Sequence, residues 1–316
     1  MLALWNKLKR RRDHEAPSLA VNRPIRRTYE GDVYNAPEFN LDAAWLTDAG
    51  NVRENNEDNA LYREPLDQSE AETKGCLMIV ADGVGGHSAG EEASRIAVKT
   101  ISQSFFDSHE TINDALREAF AEANQAIFRA AQSRFDWQGM GTTSTALVIC
   151  NGQAFAAQVG DSRLYLVREN RIYQLSEDHS AVMEMVRMGM MTIDEAGNHE
   201  DRNIILRALG TKPEAAVTVW EKPFPVRAGD SFVLCTDGLF DLVSDEEIKA
   251  IVTNETPVAG CQKLVDLAKA NGGYDNITVG IVRASACASH QEEHNGNFIE
   301  EQNSTQRDKG SKGQRI

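Results

Sequence analysis

The chain has 316 residues, is 41% hydrophobic and carries a formal net charge of −15 at pH 7, a length that holds one large domain or two small ones. Residues 1–41 carry +3 and residues 284–316 carry −1, so residues 42–283 hold −17, which excludes the basic footprint of a nucleic-acid binder. No apolar run approaches the roughly 18 residues of a membrane span, and residues 2–5 are too short for the apolar region of a signal peptide.

Residues 1–40, with Lys7, Lys9, Arg10, Arg11 and Arg12, read as a flexible basic tail. Leu2, Leu4, Trp5 and Leu8 could touch an anionic membrane surface or a partner, but so short a stretch binds lipid weakly. The first strong element is the apolar run 77–81, a strand ending at Asp82. Ser88 and Glu91 then form a capping-box pattern. The helix they open puts Ala93, Ile96, Ala97, Ile101 and Phe105 on one face. A second helix carries Leu116, Phe120, Ala123, Ile127 and Ala131 at spacings of three and four. Strands follow at 143–150, 153–159 and 163–167, the first two joined by Asn151-Gly152, a strong hairpin signal.

Residues 232–235 make another buried strand, and Ser244 with Glu247 caps a short helix. Thr256-Pro257 opens a further helix running to about Gly272. Ile277, Val279 and Ile281 alternate as a last strand. Residues 284–316 are rich in Glu, Gln, Asn, Ser and Gly and read as a disordered tail. This succession predicts a layered α+β sandwich, not the regular alternation of a parallel sheet. Cys76, Cys150, Cys235, Cys261 and Cys287 are odd in number and irregularly spaced, which predicts reduced thiols in a cytoplasmic protein. Nothing suggests a coiled coil, so a monomer is expected.

Acidic residues recur in short motifs along this frame: Arg53-Glu54-Asn55-Asn56-Glu57-Asp58, Ala81-Asp82-Gly83-Val84-Gly85-Gly86-His87, Val159-Gly160-Asp161-Ser162-Arg163, Thr236-Asp237-Gly238-Leu239-Phe240-Asp241 and Tyr274-Asp275-Asn276. A fold that gathers them needs a compensating cation, because close carboxylates cannot all stay ionised alone. Oxygen donors without a Cys or His pair point to hard divalent ions. A glycine after Asp82 lets the backbone approach closely. Each acid also has a plain reading: Asp-Gly is common where strands turn, and Asp161 and Asp241 could simply cap turns. Arg53 offers a fork matched to phosphate oxygens, or is a surface arginine in a polar turn.

In this order the motifs resemble those of the metal-dependent serine/threonine protein phosphatases of type 2C, over residues 41–283. The short core, Asp178-His179-Ser180, and Arg207-Ala208-Leu209-Gly210 resemble the bacterial branch. The resemblance implies a four-layer αββα sandwich of two central antiparallel sheets flanked by helices, with a small flap subdomain at about 179–210. It implies two Mn²⁺ or Mg²⁺ ions, with Asp82 bridging both, the Gly83 carbonyl beside it, and Asp237 and Asp275 on the first. Glu57 and Asp58 would hold metal waters, and Asp161, Asp241 and Asp237 would form a weaker third site.

The implied reaction is hydrolysis of phosphoserine and phosphothreonine in phosphorylated proteins by a bridging hydroxide, with Arg53, Asp58 and Asp82 catalytic, opposing a cognate serine/threonine kinase. Many eukaryotic members of that family carry His where this chain has Val84, and bacterial ones often carry Met, so water on a metal or His87 could supply the proton, or His87 could merely orient its loop. Met183, Met185, Met188, Met190 and Met191 suit either a peptide-accepting flap or helix packing. A catalytically silent phosphoprotein-binding module on the same fold is the main alternative, and its intact acids argue against it. A small-molecule phosphatase would also use Arg53, whereas a calcium-binding sandwich gives that arginine no role.

Overall fold

The computed structural model describes residues 39–85, 89–197 and 199–286. The readings placed on the two tails, on the Ser88 cap, on His87 and on Cys287 lie outside the described residues. In chain order the first half runs β1 (Phe39–Asp48), β2 (Asp58–Arg63), α1 (Gln68–Thr73), β3 (Cys76–Val84), α2 (Ala89–Asp107), α3 (Ile112–Ser133), β4 (Gly141–Thr142), β5 (Ser144–Cys150), β6 (Gln153–Val159), β7 (Arg163–Arg168) and β8 (Arg171–Gln174). The second half runs α4 (Ala181–Arg187), α5 (Ile193–Gly197), β9 (Thr218–Val219), β10 (Phe224–Pro225), β11 (Ser231–Cys235), α6 (Asp237–Phe240), α7 (Asp245–Asn254), α8 (Pro257–Ala270) and β12 (Ile277–Ala286).

Local chemistry explains several of these elements. Asn151 and Gly152 take φ of 49° and 70°, the left-handed pair that a two-residue hairpin needs to match strand twist. They set β5 against β6 from Ser144↔Val159 to Cys150↔Gln153. Ser244 and Glu247 close a reciprocal capping box on α7. Thr256 caps α8 by accepting from the Ala259 N–H, with Pro257 in its first turn, where the missing donor costs nothing.

The strands form two antiparallel sheets, β1-β12-β11-β7-β8 and β10-β6-β5-β3-β2, with β4 paired to β3 and β9 to β6. Alternation along β3 divides the core. Met78 and Val80 face inward with Leu147, Leu164, Leu166, Phe232, Leu234 and Val282 between the sheets. Leu77, Ile79 and Ala81 face the other way, onto Ala93, Ala97, Ile101, Phe105, Leu116, Phe120 and Ile127 of α2 and α3. On the far sheet Leu46, Val233, Val279 and Ile281 pack under Ile248, Val252, Leu264 and Val265 of α7 and α8. The result is helix, sheet, sheet, helix, each buried Leu, Ile or Phe contributing about 1.5–3 kcal/mol.

β3 does not stop at Asp82 but runs on through Gly83 and Val84, because β4 pairs with those two residues. Cys76, Cys150, Cys235 and Cys261 are free thiols, and burial pushes Cys76 and Cys150 up to about 11. The segment holding α4 and α5 is tied down at both ends by the bridges Ser180↔Ile205 and Thr142↔Leu209. Its Val182 and Ala196 are buried, while Met188 and Met190 are 61% and 72% exposed. Met188 and Met190 thus offer thioethers at the surface, while Met183, Met185 and Met191 are partly buried.

Candidate metal centre

Three strand ends and one short helix deliver the acids to the same end of the sandwich. Asp58 opens β2 directly opposite Asp82 of β3, a cross-strand position that puts side chains about 5 Å apart. Asp237 opens α6 immediately after β11, and Asp275 precedes β12. One turn of α6 brings Asp241 back beneath Asp237, its N–H donating to the Asp237 carbonyl at 2.9 Å. Asp161 lies buried in the turn between β6 and β7. Beside β3, the chain closes tightly: a Cβ on Gly83 would fall 2.1 Å from the Gly90 carbonyl of α2, and one on Gly90 would fall 2.9 Å from Cδ of Glu57. The glycine pair lets α2 lie against the strand that carries Asp82.

A hydrogen-bond scaffold fixes these positions. The Thr278 N–H donates to Thr236 Oγ1 at 3.0 Å, so the Thr236 hydroxyl proton goes to Asp58 Oδ2, 2.8 Å away. Asn276 Oδ1 accepts from the Glu57 N–H at 2.8 Å, while its Nδ2 donates to the carbonyls of Ala49 and Asn55. That side chain ties Ala49, Asn55 and Glu57 of the loop to the start of β12. Arg53 Nη2 donates to Asp275 Oδ2 at 2.6 Å, and Asp275 holds the guanidinium proton more tightly than usual. The Gly83 N–H donates to the Glu57 carbonyl at 3.1 Å.

The carboxylates pay electrostatically for this gathering. Burial pushes Asp58 up to about 7, against its threonine hydrogen bonds and with repulsion from Asp237 and Asp275. Burial and then the fields of Asp58, Asp237, Asp161 and Asp275 push Asp82 well above the usual range. Asp161 rises to about 7 through burial and Asp237. Asp237 rises to about 6 through burial, Asp275 and Asp241, relieved in part by a hydrogen bond shared with Asp82. Two carboxyl groups share such a bond only when one holds a proton.

The residues present fit hard divalent cations. Asp58 Oδ1 and Asp237 Oδ1 are buried acceptors without a hydrogen-bond partner, and every strong donor here is an oxygen. Among the described residues no three His, Cys, Asp or Glu side chains form a ready-made ligand group. The acids share one field without closing a direct shell, an arrangement compatible with ions that keep several waters.

Asp241 is raised mainly by burial, and Arg202 opposes that rise. Arg202 Nη2, from the segment after α5, sits 3.1 Å from Asp241 Oδ2. Arg163 grips Asp178 through Nε and Nη2, at 3.0 and 2.7 Å to Oδ2, and stacks over the Phe240 ring at 3.8 Å. It thereby braces α6 against the root of the α4–α5 segment. Val84, 42% exposed, has no proton to give.

Sequence reasoning named the acids but missed their supports. Asn276 and Arg163 stood inside quoted motifs, and Thr236 directly before Asp237, so their signal was position alone. Arg202 carried none.

The sequence profile of the family described as Protein phosphatase 2C matches residues 55–271. The serine/threonine phosphatase stp of Listeria welshimeri is 39% identical over 249 residues, covering 77% of this chain and 95% of that protein. The crystal structure of the Mycobacterium tuberculosis serine/threonine phosphatase PstP/Ppp superimposes with a TM-score of 0.69 at 34% identity, covering 78% of this chain and 99% of that one. A structure of the catalytic domain of the serine/threonine phosphatase PstP in complex with two manganese ions gives 0.65 at 33% identity, over 78% of this chain and 98% of that one.

Proposed function

The chain belongs to the protein phosphatase 2C family of metal-dependent serine/threonine phosphatases, and from that premise we propose that it hydrolyses phosphoserine and phosphothreonine by direct attack of a hydroxide bridging two Mn²⁺ or Mg²⁺ ions. The observation that carries this reading is the pair of buried, unpartnered oxygens, Asp58 Oδ1 and Asp237 Oδ1, within a set of carboxylates lifted toward neutrality. When bound, such an ion pair supplies hydroxide near neutral pH and neutralises charge on the phosphoryl oxygens.

Asp82, the Gly83 carbonyl, Asp237 and Asp275 would hold the ions directly. Glu57 and Asp58 would hold their waters, with Asp58 kept in one rotamer by Thr236. Asp161 and Asp241, with Asp237, would hold a third. Arg53 binds the phosphoryl group: only part of its fork is engaged with Asp275, and the half-exposed guanidinium can take a phosphate oxygen beside it. With Val84 at the loop, the leaving serine or threonine oxygen takes its proton from water. No helix among the described residues is long and apolar enough to cross a membrane. We place the protein in the cytoplasm as a monomer, reversing a serine/threonine kinase.

The test is phosphate release from a phosphothreonine peptide with and without Mn²⁺, alongside Asp82→Asn and Asp237→Asn. Release that needs Mn²⁺ and drops at least about a hundredfold in both variants supports the reading. No release from several peptides at saturating Mn²⁺ would sink it in favour of the silent binding module.

A further inference from the structure

Next to the candidate centre, residues 50–53 run alongside residues 272–275. The Asn51 N–H donates to the Gly273 carbonyl at 2.7 Å, and Asn51 Nδ2 donates to the carbonyls of Lys269 and Gly272 at 2.7 and 3.1 Å. Arg53 closes the ladder on Asp275 at 2.6 Å. Between these cross-links stand two large apolar side chains with no core to enter: Val52, 63% exposed, and Tyr274, 65% exposed. The tyrosine ring lies over Gly272, where an added Cβ would come within 2.4 Å of it. An exposed aromatic ring thus rests against a braced loop, next in sequence to Asp275, with Val52 next to Arg53 across from it.

We infer that Val52 and Tyr274 form an apolar subsite for the side chain flanking the phosphorylated residue of a protein substrate, and that they set a preference for apolar over acidic flanks. The inference rests on the phosphatase reading above. A peptide whose phosphate reaches Arg53 has its next side chains within about 3–7 Å along an extended chain, which brings one over this rim. A tyrosine ring contributes contact area at little entropic cost because it has only two side-chain torsions to order. An acidic flank gains no apolar contact from these two side chains and enters a domain region carrying −17.

The experiment compares KM and kcat for two phosphothreonine peptides, identical except for leucine or aspartate on both sides of the phosphothreonine, with p-nitrophenyl phosphate as a substrate that has no flanks. The wild type is expected to show a KM at least about fivefold lower for the leucine peptide. Tyr274→Ser with Val52→Ser should raise the KM of the leucine peptide by that factor with kcat kept, and Tyr274→Leu should retain the preference. A wild type that treats both peptides alike, or a double variant whose KM for the leucine peptide is unchanged, overturns the inference while p-nitrophenyl phosphate turnover leaves the phosphatase reading standing. A wild type that turns over none of the three substrates at saturating Mn²⁺ overturns both.

Discussion

Asp237 and Asp82 show why a reactive centre weakens the fold that holds it. Each carboxyl is pushed up by burial and by its acidic neighbours, and the two share a hydrogen bond. Without a cation, holding Asp237 ionised at pH 8 costs about 1–3 kcal/mol. Asp237→Asn removes that charge and leaves the amide able to bond to Asp82. In EDTA at pH 8 the variant should therefore melt a few degrees above the wild type. In saturating Mn²⁺ the order should reverse, because only the wild type gains binding energy. Calorimetry under the two conditions decides it: a wild type that melts higher in EDTA as well would mean that repulsion among these acids is not a net cost.

At the scale of elements, the centre depends on how closely α2 lies against β3. The small residues Gly83 and Gly90 set that distance, with Glu57 filling the remaining space. Gly90→Ala should favour the helix by up to about 1 kcal/mol on propensity alone. Its methyl group would nonetheless stand 2.8 Å from the Gly83 carbonyl and 2.9 Å from Cδ of Glu57. The expected outcome is an unchanged far-UV spectrum with Mn²⁺ affinity, read by titration calorimetry, at least about tenfold weaker; unaltered affinity would show that the contact is slack. The close approach at Gly83 was legible in the sequence, but its partner was not, since nothing local ties residue 83 to the start of the next helix. The same boundary recurs through the fold. The β5–β6 hairpin and the caps of α7 and α8 were readable because their chemistry is local. β1 was not: its ten pairs are all with β12, more than 200 residues on, and its sequence lacks a clean alternation. The pairing of Arg53 with Asp275 was hidden for the same reason.

Across the whole molecule, two sets of buried titratable groups give stability opposite dependences on pH. His179 accepts the Gly160 N–H at Nδ1, 3.1 Å away, so its proton sits on Nε2, facing Thr218 Oγ1. Its backbone N–H and carbonyl bond to the Gly160 carbonyl and the Leu206 N–H, which fastens the root of the α4–α5 segment to the Asp161 turn. Burial lowers His179 from 6.5 to about 4, so between those values the unfolded chain binds the extra proton and stability rises with pH, by at most ~3 kcal/mol. The carboxylates act the other way. Asp58 and Asp161 move from 3.8 to about 7 and Asp237 to about 6, so between pH 4 and 7 the folded state holds protons the unfolded state has lost, and stability falls as pH rises. Three such acids outweigh one imidazole, so in EDTA the melting temperature should decline from pH 5 to pH 7. Divalent ions remove the carboxylate contribution by taking those groups ionised, and their own binding strengthens as the acids lose protons. In Mn²⁺ the slope should therefore turn positive over the same interval, and His179→Gln should make it shallower. Parallel slopes with and without Mn²⁺ would show that these carboxylates do not meet the ions at all.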